Sequence, residues 1–282
     1  MALPLINGAP AMPPRSVLAR ALRAVPTLLR IGVAETMAYR AELVVWSLTA
    51  MQPLVMLGLW TRVAREAPFH GHSSASFVAY FLSTLIVRQL TSNWVAWQIN
   101  EEVRSGAIAM RLLRPVHPFV AYAASHLAAI PLRAVVALPI ALALLASPGA
   151  SALSSDPARL LLVLPSIALA WLIAFSALFA IGALAFFLTQ TMAIADFHFC
   201  VFSLFSGVLM PLDMLPSPFA VAAAWLPFRF MLSIPVELMT QSLDGAQLVS
   251  RLGGQLVWAA LLLVLALGLW RAGVRRLEAV GG

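Results

Sequence analysis

Glu101 and Glu102 stand side by side in a stretch, Gln98 to Pro118, that also carries Arg104, Arg111 and Arg114. Paired carboxylates can hold a divalent metal and activate water. The EExxxR spacing that would do so needs an arginine at position 106, and the chain has Gly106 there. Asp196 and His198 flank Phe197, but residues two apart point to different faces of a helix, which argues against a joint metal site or proton relay. His70 and His72, around Gly71, offer at most an incidental metal contact in a loop. Cys200 is the single cysteine, which excludes an internal disulfide and a cysteine-based metal cluster. All 18 basic residues are arginine. A phosphate-binding loop of the GxxxxGKS/T type needs a lysine, so ATP hydrolysis of that kind is not carried on this chain. No catalytic, cofactor-binding or metal-binding set follows from these residues.

The elements that position them belong to a membrane. Of 282 residues, 62% are hydrophobic and 10% charged, and the mean hydropathy is +0.93. Soluble domains carry about 25% charged residues, so this composition reads as a polytopic membrane protein. The net charge of +7 suits loops facing an anionic leaflet; nucleic acid is not an expected partner, because the arginines are scattered among apolar runs. Six spans are expected, at about Leu43 to Trp60, Phe77 to Trp97, Phe119 to Ala146, Leu160 to Leu188, Ile194 to Leu212, and Leu252 to Trp270. Each is near the ~20 residues that cross the hydrocarbon. An even number puts both termini on one side. With the N-terminus inside, the inner segments hold 11 arginines and the outer ones 5, so both termini are expected in the cytoplasm.

Residues 1–14 read as irregular. Over 15–34, Arg15, Arg20, Arg23 and Arg30 share one arc of a helix, with Leu18, Leu22, Val25 and Leu29 opposite and a kink at Pro26. That pattern predicts a helix in the cytoplasmic interface, against the alternatives of a signal peptide or a transit sequence. In Gln98 to Pro118, Val103, Ala107, Met110 and Leu113 recur at helical spacing, which predicts one short amphipathic helix across the ends of two spans. Between the fifth and sixth spans, the apolar interval 206–245 is broken by Pro211, Pro216, Pro218, Pro227 and Pro235. Pieces that short do not cross, so helices dipping into the outer leaflet and returning are expected over 213–250. Arg88 and Arg133 fall near mid-membrane. A central arginine costs at least ~2.5 kcal/mol on insertion scales, so each needs a partner or a wet space. Two readings stay open: a translocation path attracting an anionic or zwitterionic headgroup, or structural bonds to backbone carbonyls and, for Arg88, to its neighbours Gln89, Thr91, Ser92 and Asn93.

Three segments together resemble the membrane (permease) subunit of type-2 ABC exporters, in the uncharacterised permease branch of ABC transport systems. One is EEVRSGAIAMRLLRPVHP, with a glycine followed by an LLRP run. Another is the outer arrangement of Ser206, Gly207, Pro211, Leu212, Leu215, Pro216, Leu226, Pro227, Phe228, Arg229, Phe230, Pro235, Val236 and Glu237. The third is the basic tail from Arg275 and Arg276 to Gly281 and Gly282, where Ala279 and Val280 replace the valine-glutamine pair of the pattern. The resemblance covers nearly the whole chain, read as one transmembrane permease domain over 1–282. It implies that 98–118 is a coupling segment seated on a separate ABC ATPase, which carries the ATP and Mg. Glu101, Glu102 and Arg104 become candidate polar contacts, Gly106 a bend or close approach, and Leu112, Leu113, Arg114 and Pro115 the return into the third span. It also implies a second permease copy or a paralogous permease; small residues such as Ala137, Ala141 and Ala143, or Ala174, Ala177, Ala180 and Gly182, suit such a contact and equally suit packing within one chain. The expected fold is thus all-α, with six transmembrane helices, in a bacterial inner membrane and among its lipids. The competing classes are an intramembrane metal-dependent hydrolase and an ion-coupled transporter without an ATPase.

Overall fold

Polar caps and prolines start the helices, and long apolar runs carry them. Asp156 accepts a hydrogen bond from the N–H of Ala158 at 3.0 Å, with Pro157 at the first helical position; Ser73 accepts from the N–H of Ser76 at 3.1 Å. The computed structural model describes residues 26–34, 51–188 and 191–281, the last four of these without their side chains. Residues 26–34 are helical. They are followed by α1 (Gln52–Val63), α2 (Ser74–Thr91), α3 (Val95–Arg104), α4 (Ile108–Leu112), α5 (Pro118–Ala128) and α6 (Ile130–Ala146). Next come α7 (Pro157–Ala183), α8 (Met192–Phe205), α9 (Ser217–Trp225), α10 (Pro227–Thr240) and α11 (Gly245–Gly281). Short 3-10 turns lie at Pro148–Ala152, Leu184–Phe186 and Leu212–Met214, and there is no β-strand among the described residues.

Among the described residues, three helical stretches are long and apolar enough to cross a membrane: Pro118–Ala146 with 29 residues, Pro157–Phe186 with 30, and Gly245–Leu277 with 33. At 1.5 Å per residue each exceeds the ~30 Å hydrocarbon core. They match the expected third, fourth and sixth spans. The expected second span is interrupted, because α2 stops at Thr91, Ser92 is extended and α3 starts at Val95. The expected fifth is the 14-residue α8, which gives way to Gly207 at φ +89°. Only 51–60 of the expected first span is described, and it lies in the loop before α1 and in α1 itself. Of the expected interfacial helix, 15–25 lies outside the described residues. In the remainder Arg30 is exposed, and a Cβ on Gly32 would sit 2.7 Å from Ala128 on α5.

Helix α7 is the centre. It packs against α11, α10, α3 and α2, while α2 also packs against α1, α6 and α10. Phe175 and Phe179 of α7 join Val95, Ile99, Tyr122 and Trp270 in the largest buried cluster. Gly182 permits the crossing with α3, where a Cβ would meet Ile99 and Ala96 at 3.0–3.1 Å. Ala177 and Ala180 are buried within the chain too, so the small residues of this helix serve internal packing. Between α7 and α11, Ser166 donates to Gln255 at 2.8 Å, and the Gln255 amide donates to the carbonyls of Ser166 and Phe230. That staple also holds α10.

Pro211, Pro216 and Pro227 stand at breaks of the outer interval as expected, whereas Pro218 lies in the first turn of α9 and Pro235 inside the unbroken α10. Helices α9 and α10 meet at 94° around Leu226, and Pro227 begins the second of them. Phe230 to Leu238 are buried, so α10 lies inside the helix packing rather than over it. Arg159 of α7 donates to the carbonyls of Gln241 (2.6 Å) and Leu243 (3.2 Å), placing a cation at the C-terminal end of α10.

Candidate functional site

The segment 98–118 is two helices, not one. Chain direction changes at Gly106, whose φ of +77° is a left-handed conformation that side chains disfavour. The break resets the helical phase. Ile108 becomes the buried residue of α4, and Val103 and Leu112 lean on the same cluster as Tyr122 and Phe179. Met110 and Leu113, expected on the apolar inner face with Val103, are 69% and 78% exposed.

Glu102 holds the two helices together. Arg111 donates to it from Nε at 2.6 Å and from Nη2 at 2.5 Å, and the Tyr122 hydroxyl donates at 2.6 Å. The Arg111 guanidinium lies 4.0 Å from the centre of the Tyr122 ring. Of the residues expected to meet an ATPase, Glu101, Arg104, Gly106, Leu113, Arg114 and Pro115 are exposed, whereas Glu102 is committed within the chain and Leu112 is half-buried. The two adjacent carboxylates therefore part, one inward and one outward. Arg111 and Tyr122 were missed as a site by the sequence reading, although an acid and an arginine nine apart across a glycine are a signal for such a clamp. The N–H of Phe119 donates to Nδ1 of His117 at 3.2 Å, capping α5. Burial, and then the charge of Arg271, hold the His117 imidazole below the usual histidine range.

Arg88 and Arg133, 45 residues apart in sequence, line one cavity of about 260 Å³. Its walls come from α2, the break after it, α3, α6, α7, α8 and α10. The Arg133 guanidinium donates to the carbonyl of Ser92, which the break at the end of α2 leaves free, and stacks 4.9 Å from the Trp94 ring. Arg88 lies 5.4 Å from the Phe202 ring, and its buried Nε has no partner among the described residues. His198 also lines the cavity, while Asp196 on the same helix is exposed and turned elsewhere.

A second cavity of about 360 Å³ lies on the other flank of α10. Arg229, Ser233 and Glu237 follow one another at four-residue steps and share a face. Arg229 reaches Glu237 at 3.0 Å, Ser233 donates at 2.7 Å, and Arg251 of α11 makes an ion pair with the same carboxylate. Glu237 is 3% exposed. Sequence reasoning placed it in the outer segment without its partners. Of the other residues singled out there, Pro211 precedes the 3-10 turn, Pro216 precedes α9, Pro227 starts α10 and Pro235 lies buried within it; the Phe228 ring is 5.3 Å from His198. At the mouth, His72 and Asp213 meet at 2.9 Å. Burial pushes the Asp213 carboxyl up, but the His72 hydrogen bond and charge outweigh it and hold it below its usual range.

Helices long and apolar enough to cross a membrane surround two cavities, each lined by two arginines, and an exposed helical break is tied into the core. No curated protein matches the sequence. The model of the ABC-2 family transporter proteins matches residues 49–281, and the chain therefore belongs to the ABC-2 transporter family, as a membrane-embedded permease.

Proposed function

We propose that the chain is the permease subunit of an ATP-driven exporter, moving an amphipathic or hydrophobic substrate outward by alternating access. Family membership carries the transport role in general, and such permeases work with an ABC ATPase. The single observation that supports energy coupling through 98–118 is the union of an exposed outer surface with an anchored inner one. Glu101, Arg104, Met110, Leu113 and Arg114 are presented outward, while the Glu102–Arg111–Tyr122 clamp ties the same segment to α5 and the α7 core. A push on α4 then passes into the spans. In this reading 98–118 and both termini face the cytoplasm of a bacterial inner membrane, ATP and Mg are bound by the partner, and two permeases, identical or paralogous, pair in the lipid. Arg88 and Arg133 line the path, and α10 forms part of its wall.

The test is co-expression with an ABC ATPase and purification in mild detergent. Met110→Asp with Leu113→Asp removes an apolar contact without touching the clamp. Recruitment of the ATPase is expected to fall sharply, with unfolding stability changed by no more than ~0.5 kcal/mol. Single changes of Glu101 or Arg104 weaken it less, since rim charges contribute ~0–1 kcal/mol. Full recruitment in the double aspartate variant, together with intact transport when Gly106 or Leu112 is changed, would overturn the coupling role.

A further inference from the structure

We propose that the cavity between α2, α6 and α8 binds the oxyanion headgroup of an amphiphile, a phosphate ester or a carboxylate, with the apolar chain leaving along α7 and α8. The proposal deepens the permease reading and rests on it for the cavity's place in a translocation path. Three independent features of the site point to it.

The charge has no carboxylate counterpart among the described residues. Arg88 and Arg133 line the cavity, and none of the described aspartates or glutamates does. Arg133, 4% exposed, has the Ser92 carbonyl as its one hydrogen-bond acceptor among the described residues, and Arg88 has none. A guanidinium presents five donors, so most remain for a ligand. The Phe202 and Trp94 rings lie 5.4 and 4.9 Å from the guanidinium carbons of Arg88 and Arg133. Guanidinium donors of this kind suit bidentate recognition of an oxyanion.

The neutral polar groups beside them are also unpaired. Gln89 Nε2 and both side-chain polar atoms of Asn93 are buried without partners among the described residues, and both residues line the same cavity. Buried polar groups are ordinarily satisfied, so a cluster of orphans beside two cations marks a place where a ligand supplies the partners. Asn93 offers an acceptor as well as donors, which suits a headgroup that keeps one O–H.

The rest of the wall is mainly apolar. Ala174, Leu178, Phe199 and Met231 line the cavity, with His198 among them. Its volume, about 260 Å³, falls just below the ~300–1,000 Å³ of sites that enclose whole drug-sized ligands. It fits a headgroup and the start of a chain. Two fixed cations exclude a cationic headgroup, and a purely neutral one would leave both guanidinia without an anion.

The experiment uses the full chain, purified without an ATPase in the neutral detergent dodecyl maltoside, and follows tryptophan fluorescence, to which Trp94 and Trp97 in the wall contribute, together with thermal unfolding. Dodecyl phosphate, dodecyltrimethylammonium and inorganic phosphate are the probes. Dodecyl phosphate is expected to bind and raise the unfolding temperature, with affinity lowered ~10-fold or more in Arg88→Gln and in Arg133→Gln. Arg88→Lys and Arg133→Lys keep the charge and are expected to lose less than their glutamine counterparts. Equal binding of the ammonium probe, or dodecyl phosphate binding indifferent to all four substitutions, overturns the proposal. So does inorganic phosphate binding as tightly as its dodecyl ester, which assigns the site to free anions. If the glutamine variants do not fold, the lysine variants and the choice between phosphate and ammonium heads on the native chain decide it. Failed binding with ATPase recruitment intact removes the headgroup assignment alone; lost recruitment with binding intact removes the permease coupling alone.

Discussion

Glu102 and Arg111 face each other across the Gly106 break in a two-pronged ion pair, 2.6 and 2.5 Å long, with side chains only 17% and 18% exposed. Neither helix of the segment is long enough to be stable alone: α3 has 10 residues and α4 has 5. Their relative orientation therefore depends on this pair, on Tyr122 and on the burial of Ile108. Thermal unfolding of Glu102→Gln, Arg111→Gln and the double variant measures the dependence. Each single change is expected to cost ~2 kcal/mol, with a coupling energy of ~1–3 kcal/mol, so that the double variant is little worse than either single one. Strictly additive losses would show that the two side chains act separately.

The long spans were legible because their apolar runs outlast local breaks: α5–α6 continues past the turn at Ala129 and α7 past Pro165, and the length of these runs and of α11 decides the matter. The break in the second expected span was not. Thr91, Ser92 and Asn93 are polar but include neither glycine nor proline, and what stabilises the interruption is Arg133, 41 residues away, bonded to the freed Ser92 carbonyl. A tertiary partner of that kind leaves no local trace. The coupling segment was legible in position and in its charged residues, but its phase was not. A single period through Val103, Met110 and Leu113 holds only if the helix is continuous, and Gly106 ends it. Arg88 and Arg133 were identified by cost alone, and the fold adds what the chain order could not: that they share one cavity. The Arg229, Ser233, Glu237 spacing was readable on one face of a helix, whereas Arg251 required the packing of α11 on α10.

Glu237 neutralises two arginines at once, so the three side chains are not equivalent. Replacing Arg229 with Gln leaves Glu237 paired with Arg251, and replacing Arg251 leaves it paired with Arg229. Glu237→Gln instead leaves two cations side by side around a neutral amide. It is expected to cost ~3 kcal/mol or more, and to exceed either arginine change, because breaking a buried pair strands uncompensated charge. Unfolding of the three variants in the same detergent ranks them. An arginine change as damaging as Glu237→Gln would mean that the cluster is held by one pair only.

His117 links the entry of α5 to pH. Its Nδ1 accepts the N–H of Phe119, which requires the neutral ring, and burial together with Arg271 holds its pKa below that of an unfolded histidine. The unfolded chain therefore binds the proton more readily, and stability is lost as pH falls from the unfolded value of ~6.5 toward the lower folded one. Above that window the contribution is complete. Asparagine keeps a capping side chain but does not titrate, so His117→Asn is expected to retain the stability measured at neutral pH and to flatten its decline on acidification. The measurement is the difference between the two proteins in unfolding temperature as a function of pH. Parallel curves for the two proteins would place the acid sensitivity elsewhere, with the His72–Asp213 contact as the next group to replace. There the sign is the same, because a carboxyl held low loses its contribution as pH falls through its folded value.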